Sequence, residues 1–451
     1  MDIYRLPKES TMTLLLLQEF LDKHMREVND RYKKLKAAYE SDHDILHQAV
    51  KPAYKPDNRI VVNFPKYITD TMNGFFIGNP IKTVADDKAV SDFVEFLEQY
   101  NDQDDNNAEL SKMCSIFGKG YEMYYTDENS ELCITYLSPI EAFMIFDDSI
   151  IERPLFFVRR YTDRNNIEYG SISDKYSVRN FKVTGGLEWL GETEHHFGDV
   201  PATEYIENAE RQGIFEPVLS MVNSYNKALS EKANDVDYFA DAYLKVLGTM
   251  VENEDMQHIR DNRVVNFVGE DAEKLIVEFM DKPSSDTTQE NLLERLERLI
   301  FNISMVANIS DENFGASSGI ALKYKLQAMS NLEKTKERKF TSGMNRRYKL
   351  LFGHPLSKVA ADAWMQLKYI YTPNIPSNIL EETQIAQNVE GIVSKQTQLS
   401  ALSIVDDVKS ELDRIEEEEK AQEETAVDRQ MFGNIAQAEE ELQTEDLTDE
   451  Q

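Results

Sequence analysis

Few residues in this sequence stand at spacings that could do chemistry. His43 and His47 lie four residues apart, which would suit a metal ion on one helix face. No H-E-x-x-H pattern frames them and no third ligand is evident, so a solvated polar face accounts for them better. His195-His196 is a second pair without partners, in a stretch that reads as strand or loop. Gly118-Lys119-Gly120 is too short to cradle a phosphate, and no G-x-x-x-x-G-K-[ST] loop occurs. Carboxylates come in pairs at Asp86-Asp87, Asp104-Asp105, Asp147-Asp148 and Asp406-Asp407, where turn chemistry is explanation enough. A metal-nuclease reading would couple Pro56-Asp57 with Glu337 and Lys339. The last two fall in a predicted helix, where a site of that kind wants a strand. The expectation is a protein that is not an enzyme, with no metal site and no cofactor.

Charge sets the next bound. The 451 residues carry 49 Lys and Arg against 82 Asp and Glu, a net of −33. A simple nucleic-acid coat protein would be basic. This surface repels phosphate and anionic membranes and favours solubility. Residues 411–451 hold 16 acidic and 3 basic residues, which leaves −20 for the remainder. Cys114 and Cys133 are the two cysteines, too few for a disulfide framework or a thiolate zinc site, and consistent with a reducing, cytosolic-type compartment. The run Leu14-Leu15-Leu16-Leu17 is far short of the roughly 20 apolar residues of a membrane span, and no signal peptide is read. A chain this long exceeds what one core usually holds, so several domains or an elongated shape are expected.

The elements follow from periodicity. Residues 11–49 read as helix, with Leu14, Leu17, Leu21, Met25 and Val28 on one face and a basic segment at Arg31–Lys36. Pro52 and Pro56 mark a loop. Residues 63–100 read as helix broken at Gly78-Asn79-Pro80. From 120 to 206 the texture is β. Tyr121, Met123 and Tyr125 alternate, and Leu132–Leu137, Ala142–Phe146, Leu155–Tyr161 and Tyr176–Val183 form short runs predicting antiparallel hairpins. After Pro217 a 4-3 seam of Val218, Val222, Tyr225, Leu229, Val236 and Phe239 predicts a rod of roughly 37 Å. A mixed module follows, with strands at Tyr243–Leu247, Arg263–Val268 and Leu275–Phe279 and a short helix at Glu254–Asp261. A second rod carries Leu292, Leu296, Leu299 and Ile303. Then Ala307–Ser318 is polar, and residues 319–352 return to a helix of net +7. Met365–Tyr371 reads as strand. Residues 379–420 read as helix with Ile385, Val389, Ile392 and Val393 as its apolar set, and the tail beyond is too poor in apolar residues to fold alone.

In this order the segments resemble a family, the portal proteins of tailed phages, of the siphophage type that infects Gram-positive bacteria. Asn63–Ile81 (NFPKYITDTMNGFFIGNPI) resembles its early helix and turn, and Gly118–Asp127 and Leu137–Asp148 resemble its strand pair. Gly198-Asp199-Val200-Pro201 resembles its turn before the long helix, and Ser310–Met329 (SDENFGASSGIALKYKLQAM) its loop-to-helix passage. The likeness spans roughly residues 55–350, and it rests on the ordered set rather than on any single motif.

The resemblance implies an α+β portal fold with long stem helices, an α/β wing, a small clip and a helical crown. It maps 1–50 to an N-terminal helical segment, 51–216 to the wing and 217–241 to a first stem helix. It maps 242–283 to the clip, 284–306 to a second stem helix, 307–318 to a tunnel loop and 319–353 to a long basic helix. A wing return strand falls at 354–378, a crown at 379–420 and an acidic tail at 421–451. The implied function is a ring, usually of twelve subunits, at one capsid vertex, through which double-stranded DNA enters and leaves. The implied partners are further copies of the chain, DNA, the terminase large subunit, the head–tail connector, and the scaffolding and major capsid proteins. No membrane is implied, and the protein would be assembled in the host cytoplasm into the virion. Asn308, Asp311, Asn313, Gly315, Ser317 and Ser318 would form the tunnel loop, Lys323 and Lys325 the nearest cationic ring, and Glu252, Glu254 and Asp255 a terminase-facing surface. From the residues alone two other classes stay open. One is a cytosolic nucleic-acid-processing enzyme using the basic helix, and the other a helical scaffold or adaptor.

Overall fold

The computed structural model describes residues 3–52, 55–240, 244–247, 276–279, 286–309, 319–374, 379–402, 404–405 and 408–421. It divides into two units, one of Met1–Gly315 with Lys325–Asn374, the other of Ala316–Tyr324 with Ile375–Gln451.

The first unit opens with strand β1 (Tyr4–Leu6) and helix α1 (Leu14–Glu27), whose first turn is capped by the Thr13 hydroxyl accepting from the Leu16 amide. A π-type turn at Val28–Tyr32 passes the chain to α2 (Lys33–Tyr39). Helix α3 (Phe64–Ile77) starts where Asn63 caps it and Pro65 takes the first turn, and it stops at the Gly78-Asn79-Pro80 signal. Then come β2 (Lys82–Val84), α4 (Lys88–Tyr100) and α5 (Gln103–Phe117). Eight strands follow: β3 (Lys119–Thr126), β4 (Leu132–Leu137), β5 (Ala142–Asp147), β6 (Pro154–Thr162), β7 (Glu168–Ser173), β8 (Ser177–Val183), β9 (Leu187–Glu194) and β10 (Ala202–Ile206).

The largest sheet runs β1-β5-β6-β7-β8-β9. Its meander from β5 to β9 is antiparallel, as the hairpin signals predict, but β1 joins β5 in parallel. Strand β5 is buried along its whole length because both its faces are covered. Phe143 and Ile145 pack with α1 residues Leu17 and Leu21. Ala142, Met144 and Phe146 pack with Tyr121, Val200 and Ala202. A second sheet has the order β10-β3-β4. Gly118 ends α5 at φ +83°, and a Cβ there would stand 2.0 Å from the Arg211 carbonyl oxygen.

Helix α6 (Leu219–Ala240) follows a 3₁₀ turn at Glu216–Val218 that holds Pro217. Strands β11 (Leu244–Leu247) and β12 (Ile276–Phe279) pair antiparallel. Helix α7 (Asp286–Ser304) and the 34-residue α8 (Gly319–Phe352) come next. Strand β13 (Lys368–Ile370), inside the predicted run 365–371, pairs with β2 across nearly three hundred residues of sequence.

In the second unit α9 (Ile379–Asn388), α10 (Lys395–Leu399) and α11 (residues 408–421) are helical. The predicted apolar set does not form a core within it. Ile392 is 78% exposed, Ile385 and Val393 are also exposed, and among the described side chains of α9 Ala386 is the buried one.

Candidate functional site

The two rods of the sequence are α6 and α7, and they pack on each other. Aromatic rings seal their base. Phe64 meets Tyr225 edge-on at 5.0 Å and Phe301 at 5.7 Å, and Tyr67 meets Phe301 at 5.6 Å. Higher up, Lys232 pairs with Glu290, and Gln289 donates to Asp235 at 3.1 Å.

The buried rows differ from the predicted seams. On α7 the buried residues are Leu293, Ile300 and Ser304, one position round from the predicted row, and Leu292 and Ile303 stand 49% and 47% exposed. On α6 the apolar seam holds at Val218 and Val222 and then gives way. Val236 is 54% exposed, and the buried line continues as Asn226, Ser230 and Asn234. These three face residues 58–62, an extended stretch whose backbone amides donate to them.

Of the tunnel-loop candidates, Asn308 is described, and its amide donates to Glu297 at 3.3 Å. The next residue is tied down as well, since the Ile309 amide donates to the Tyr67 hydroxyl at 2.8 Å. Asp311, Asn313, Gly315, Ser317 and Ser318 lie outside the described residues, as do Glu252, Glu254 and Asp255. Lys323 sits on the backbone of α8 with its side chain outside the description, and Lys325 is exposed one position past Tyr324. The predicted strand Arg263–Val268 and helix Glu254–Asp261 also fall outside.

A uniformly solvated basic face on α8 is not what forms. Lys336 and Arg347 are in the core. The Lys336 ammonium donates to Glu207 at 2.8 Å, to the Ser115 hydroxyl at 2.5 Å and to the Ser111 carbonyl at 3.1 Å. The Arg347 guanidinium forks onto both oxygens of Glu122, with Nε at 2.9 Å from one, and also reaches Asn107 at 2.6 Å. Burial alone would lower the Arg347 pKa, but the Glu122 carboxylate outweighs it and the guanidinium titrates well above its usual range. Arg346 pairs with Asp199 at 3.0 Å and donates to the Val200 and Ala202 carbonyls. Between the two buried cations, Gly343 lets α8 lie against Tyr205, whose ring would be 2.3 Å from a Cβ.

The neutral partners of these cations lie on α5, where Gln103, Asn107, Ser111 and Ser115 are buried at every fourth position. Asn107 meets Arg347 and Ser111 and Ser115 meet Lys336, so the two helices run in opposite directions. Neither this row nor that of α6 was predicted. The signal that would have found them is small polar residues repeating at helical spacing among apolar neighbours.

This chemistry is structural. Glu122 and Glu207 are each ion-paired, and neither has access to a reacting group. Among the described residues no group of three or more His, Cys, Asp or Glu could hold a metal ion. His43 bonds to Asn226 and His47 to Asp42, so the i, i+4 pair is split between two partners. His195 bonds to the Asp174 carbonyl. Asp57 pairs with Arg59 and Glu337 with Lys334, which leaves the nuclease pairing unmade. Two of the acidic doublets serve a cap and a turn, and Asp406-Asp407 lies outside the described residues. Asp87 caps α4 by accepting from the Ala89 amide, and Asp147 accepts from Ser149 and from the Arg153 amide. Among the described residues no helix is long and apolar enough to cross a membrane.

The profile of the family described as phage portal protein, SPP1 Gp6-like, matches residues 18–425. A portal protein of Clostridium phage phiCD119 is 24% identical over 444 residues, 85% of this chain and 91% of that protein. A portal protein of Bacillus phage SPP1 is 23% identical over 448 residues, 89% of this chain and 86% of that one. A chain in the solved neck of an empty GTA particle, computed with C6 symmetry, aligns with a TM-score of 0.45 at 12% identity, over 75% of this chain and 89% of that chain.

Proposed function

The chain belongs to the SPP1 Gp6-like phage portal protein family, and from that premise we propose that twelve copies close into a ring whose axial channel passes double-stranded DNA. Portal proteins of this family are structural components of the phage capsid, and this chain acts at the portal vertex. The observation that carries the reading is the match of the family profile across residues 18–425, nearly the whole chain.

In the proposed ring, α6 and α7 are the stem helices. The exposed apolar side chains of Val236 on α6 and of Leu292 and Ile303 on α7 are then covered by the neighbouring copy. Residues 242–283 form the clip that docks the terminase motor during packaging and the head–tail connector afterwards. The motor's ATPase belongs to terminase, and the portal itself catalyses nothing. Residues 307–318 project toward the axis as the tunnel loop. They carry Asp311 and Glu312 and no Lys or Arg, so they meet DNA by shape with little phosphate neutralisation. A net charge of −33 suits such a conduit, because a lining that repels phosphate lets the duplex slide. Lys323 and Lys325 supply the sparse positive charge nearest the loop. The scaffolding and major capsid proteins surround the ring in the assembling head, in the host cytoplasm.

Native mass tests the reading first. Twelve copies of 52.0 kDa come to about 624 kDa. Mass photometry showing only monomer or dimer across salt and concentration would falsify the ring, whereas a thirteen-fold closure would leave it standing. Packaging with proheads carrying Lys325→Ala or Gly315→Val then tests the channel assignment. Normal DNA uptake and retention in both would remove it.

A further inference from the structure

The extended stretch 57–62 lies along α6, and three of its backbone amides bond to that helix. The Asn58 amide donates to Asn234 Oδ1 at 2.6 Å, the Ile60 amide to Ser230 Oγ at 2.9 Å and the Val62 amide to Asn226 Oδ1 at 2.9 Å. Every second residue of the stretch thus meets every fourth residue of the helix. Ser230 also donates to the Ile60 carbonyl at 3.4 Å and to the Asn226 carbonyl at 2.7 Å. The Asn58 side chain adds a bond to Asp237 at 2.5 Å.

A second limb runs with the first. Asp44 accepts from Asn223 at 2.8 Å, and Lys51 pairs with Glu231 at 2.8 Å. Arg59 ties the limbs together by donating to the Leu46 carbonyl at 2.8 Å, and it pairs with Asp57 within its own limb. At the neck, the Asn63 side chain donates to the Tyr39 carbonyl at 2.8 Å and to the Ser41 hydroxyl at 2.7 Å. The two described limbs, 44–52 and 57–62, are thus both tied to α6.

Residues 57–62 are each half-buried, and the side chains they bond to on α6 are buried. Had that face of α6 been apolar, lifting the loop would expose it to water at roughly 25 cal/mol per Å². It is a row of neutral amides and a hydroxyl, for which water is a comparable partner. A hydrogen bond of this kind is worth only a small net free energy once water can replace it. This row of neutral hydrogen bonds is therefore a modest tie, and its side chains on α6 find comparable partners in water when uncovered.

We propose that the stretch 57–62 is a reversible latch on α6, which leaves and rejoins that helix as a unit while the rest of the protein stays folded. Its release takes lateral restraint off the helix, and its attachment restores it. The latch is independent of the portal reading, because it needs only this chain's own contacts.

Hydrogen exchange followed by mass spectrometry on the assembled wild-type protein tests it. Peptides covering 57–62 should exchange well before those of β5 and α3, at rates independent of added denaturant at low concentration, as local opening demands. Ser230→Ala should speed exchange at 57–62 by about 2- to 10-fold, with β5 unchanged. Lys51→Ala, a half-buried position outside the helix row, should give a smaller increase at the same peptides. If 57–62 exchanges only together with β5, or if Ser230→Ala speeds β5 equally, the stretch is part of the core and the latch is wrong. If neither substitution changes exchange at 57–62, the row on α6 does not hold the stretch and the proposal also fails.

Discussion

Along α8, Lys336 and Arg347 carry full charges into the core. Along α6, Asn226, Ser230 and Asn234 carry only dipoles to an equally buried line. On α6 the neutral row replaces the apolar stripe expected of a packed helix, whereas on α8 the two cations interrupt one made of Leu326, Met329, Phe340, Met344 and Leu351. They differ in what happens when the contact opens. A buried guanidinium that loses Glu122 is an uncompensated charge, and Glu122 left behind is another, so that interface holds in one register or fails. An Asn that loses a backbone amide finds water instead. Charge makes the first contact all-or-none, and neutrality makes the second reversible.

The largest effect should come from breaking a charged pair. Arg347→Met strands Glu122 and should cost about 3–5 kcal/mol in denaturant unfolding at fixed protein concentration. Arg347→Met combined with Glu122→Leu should recover most of that loss, since a well-packed apolar pair matches a buried ion pair. If the single change costs under about 1 kcal/mol, the two rows do not differ in kind.

A third way of burying polarity sharpens the contrast. His24 is buried against Phe143, with Nε2 2.8 Å from the Pro139 carbonyl. Burial, with help from the charges of Arg160 and Lys119, lowers its pKa from 6.5 to about 4, against the pull of the Pro139 bond and Glu27. The folded protein keeps this ring neutral while the unfolded chain protonates it. Stability is thus unaffected above pH 6.5 and falls as pH drops from 6.5 toward 4, by up to about 3 kcal/mol at the foot of that window. Replacing His24 with Gln should flatten that slope in unfolding measured across the range. An unchanged slope would assign the pH dependence to other histidines.

The close approach of α8 to β10 offers an intermediate effect. Gly343→Val drives a side chain into the Tyr205 ring and should cost about 1–3 kcal/mol through overpacking. A thermal midpoint equal to wild type would mean that α8 can shift despite its ion pairs. The smallest effect belongs to the neutral row. Ser230→Ala should cost about 1 kcal/mol or less in the same unfolding experiment. A loss as large as that of Arg347→Met would erase the distinction between the rows.

The strands and helix ends were legible in the sequence where apolar side chains carry the pattern. Leu132–Leu137 is bounded as the alternation predicts, and the helix before Gly78 stops at its turn signal. Helix α5 escaped notice because its inward face is Gln103, Asn107, Ser111 and Ser115, which periodicity scores as solvent-facing. Strands β7 and β9 escaped for a similar reason, since Gly170, Ser171 and Gly191 interrupt their alternation. The seam on α6 was misplaced beyond Val222 because Val236 looks like core and Asn234 does not. The charge of α8 was read correctly as a sum, but its destination was not. Where Lys336 and Arg347 point depends on Glu207 and Glu122, which stand far away in sequence. The site residues of the loop before α8 rest on the family likeness, since their own composition shows only that they are polar.

The ladder between α6 and residues 58–62 also has an inherent length. Four residues of helix advance about 6.0 Å, whereas two residues of extended chain advance about 6.6–6.8 Å. The two scales slip by about 0.7 Å at each rung, in the manner of a vernier. Three rungs accumulate roughly 1.4 Å of slip, which flexible Asn and Ser side chains absorb with amide distances of 2.6–2.9 Å. A fourth would need about 2 Å, beyond the spread of a good hydrogen bond. A straight helix can therefore hold only a short stretch of extended chain in this way, and a longer strap would have to coil around it or let go.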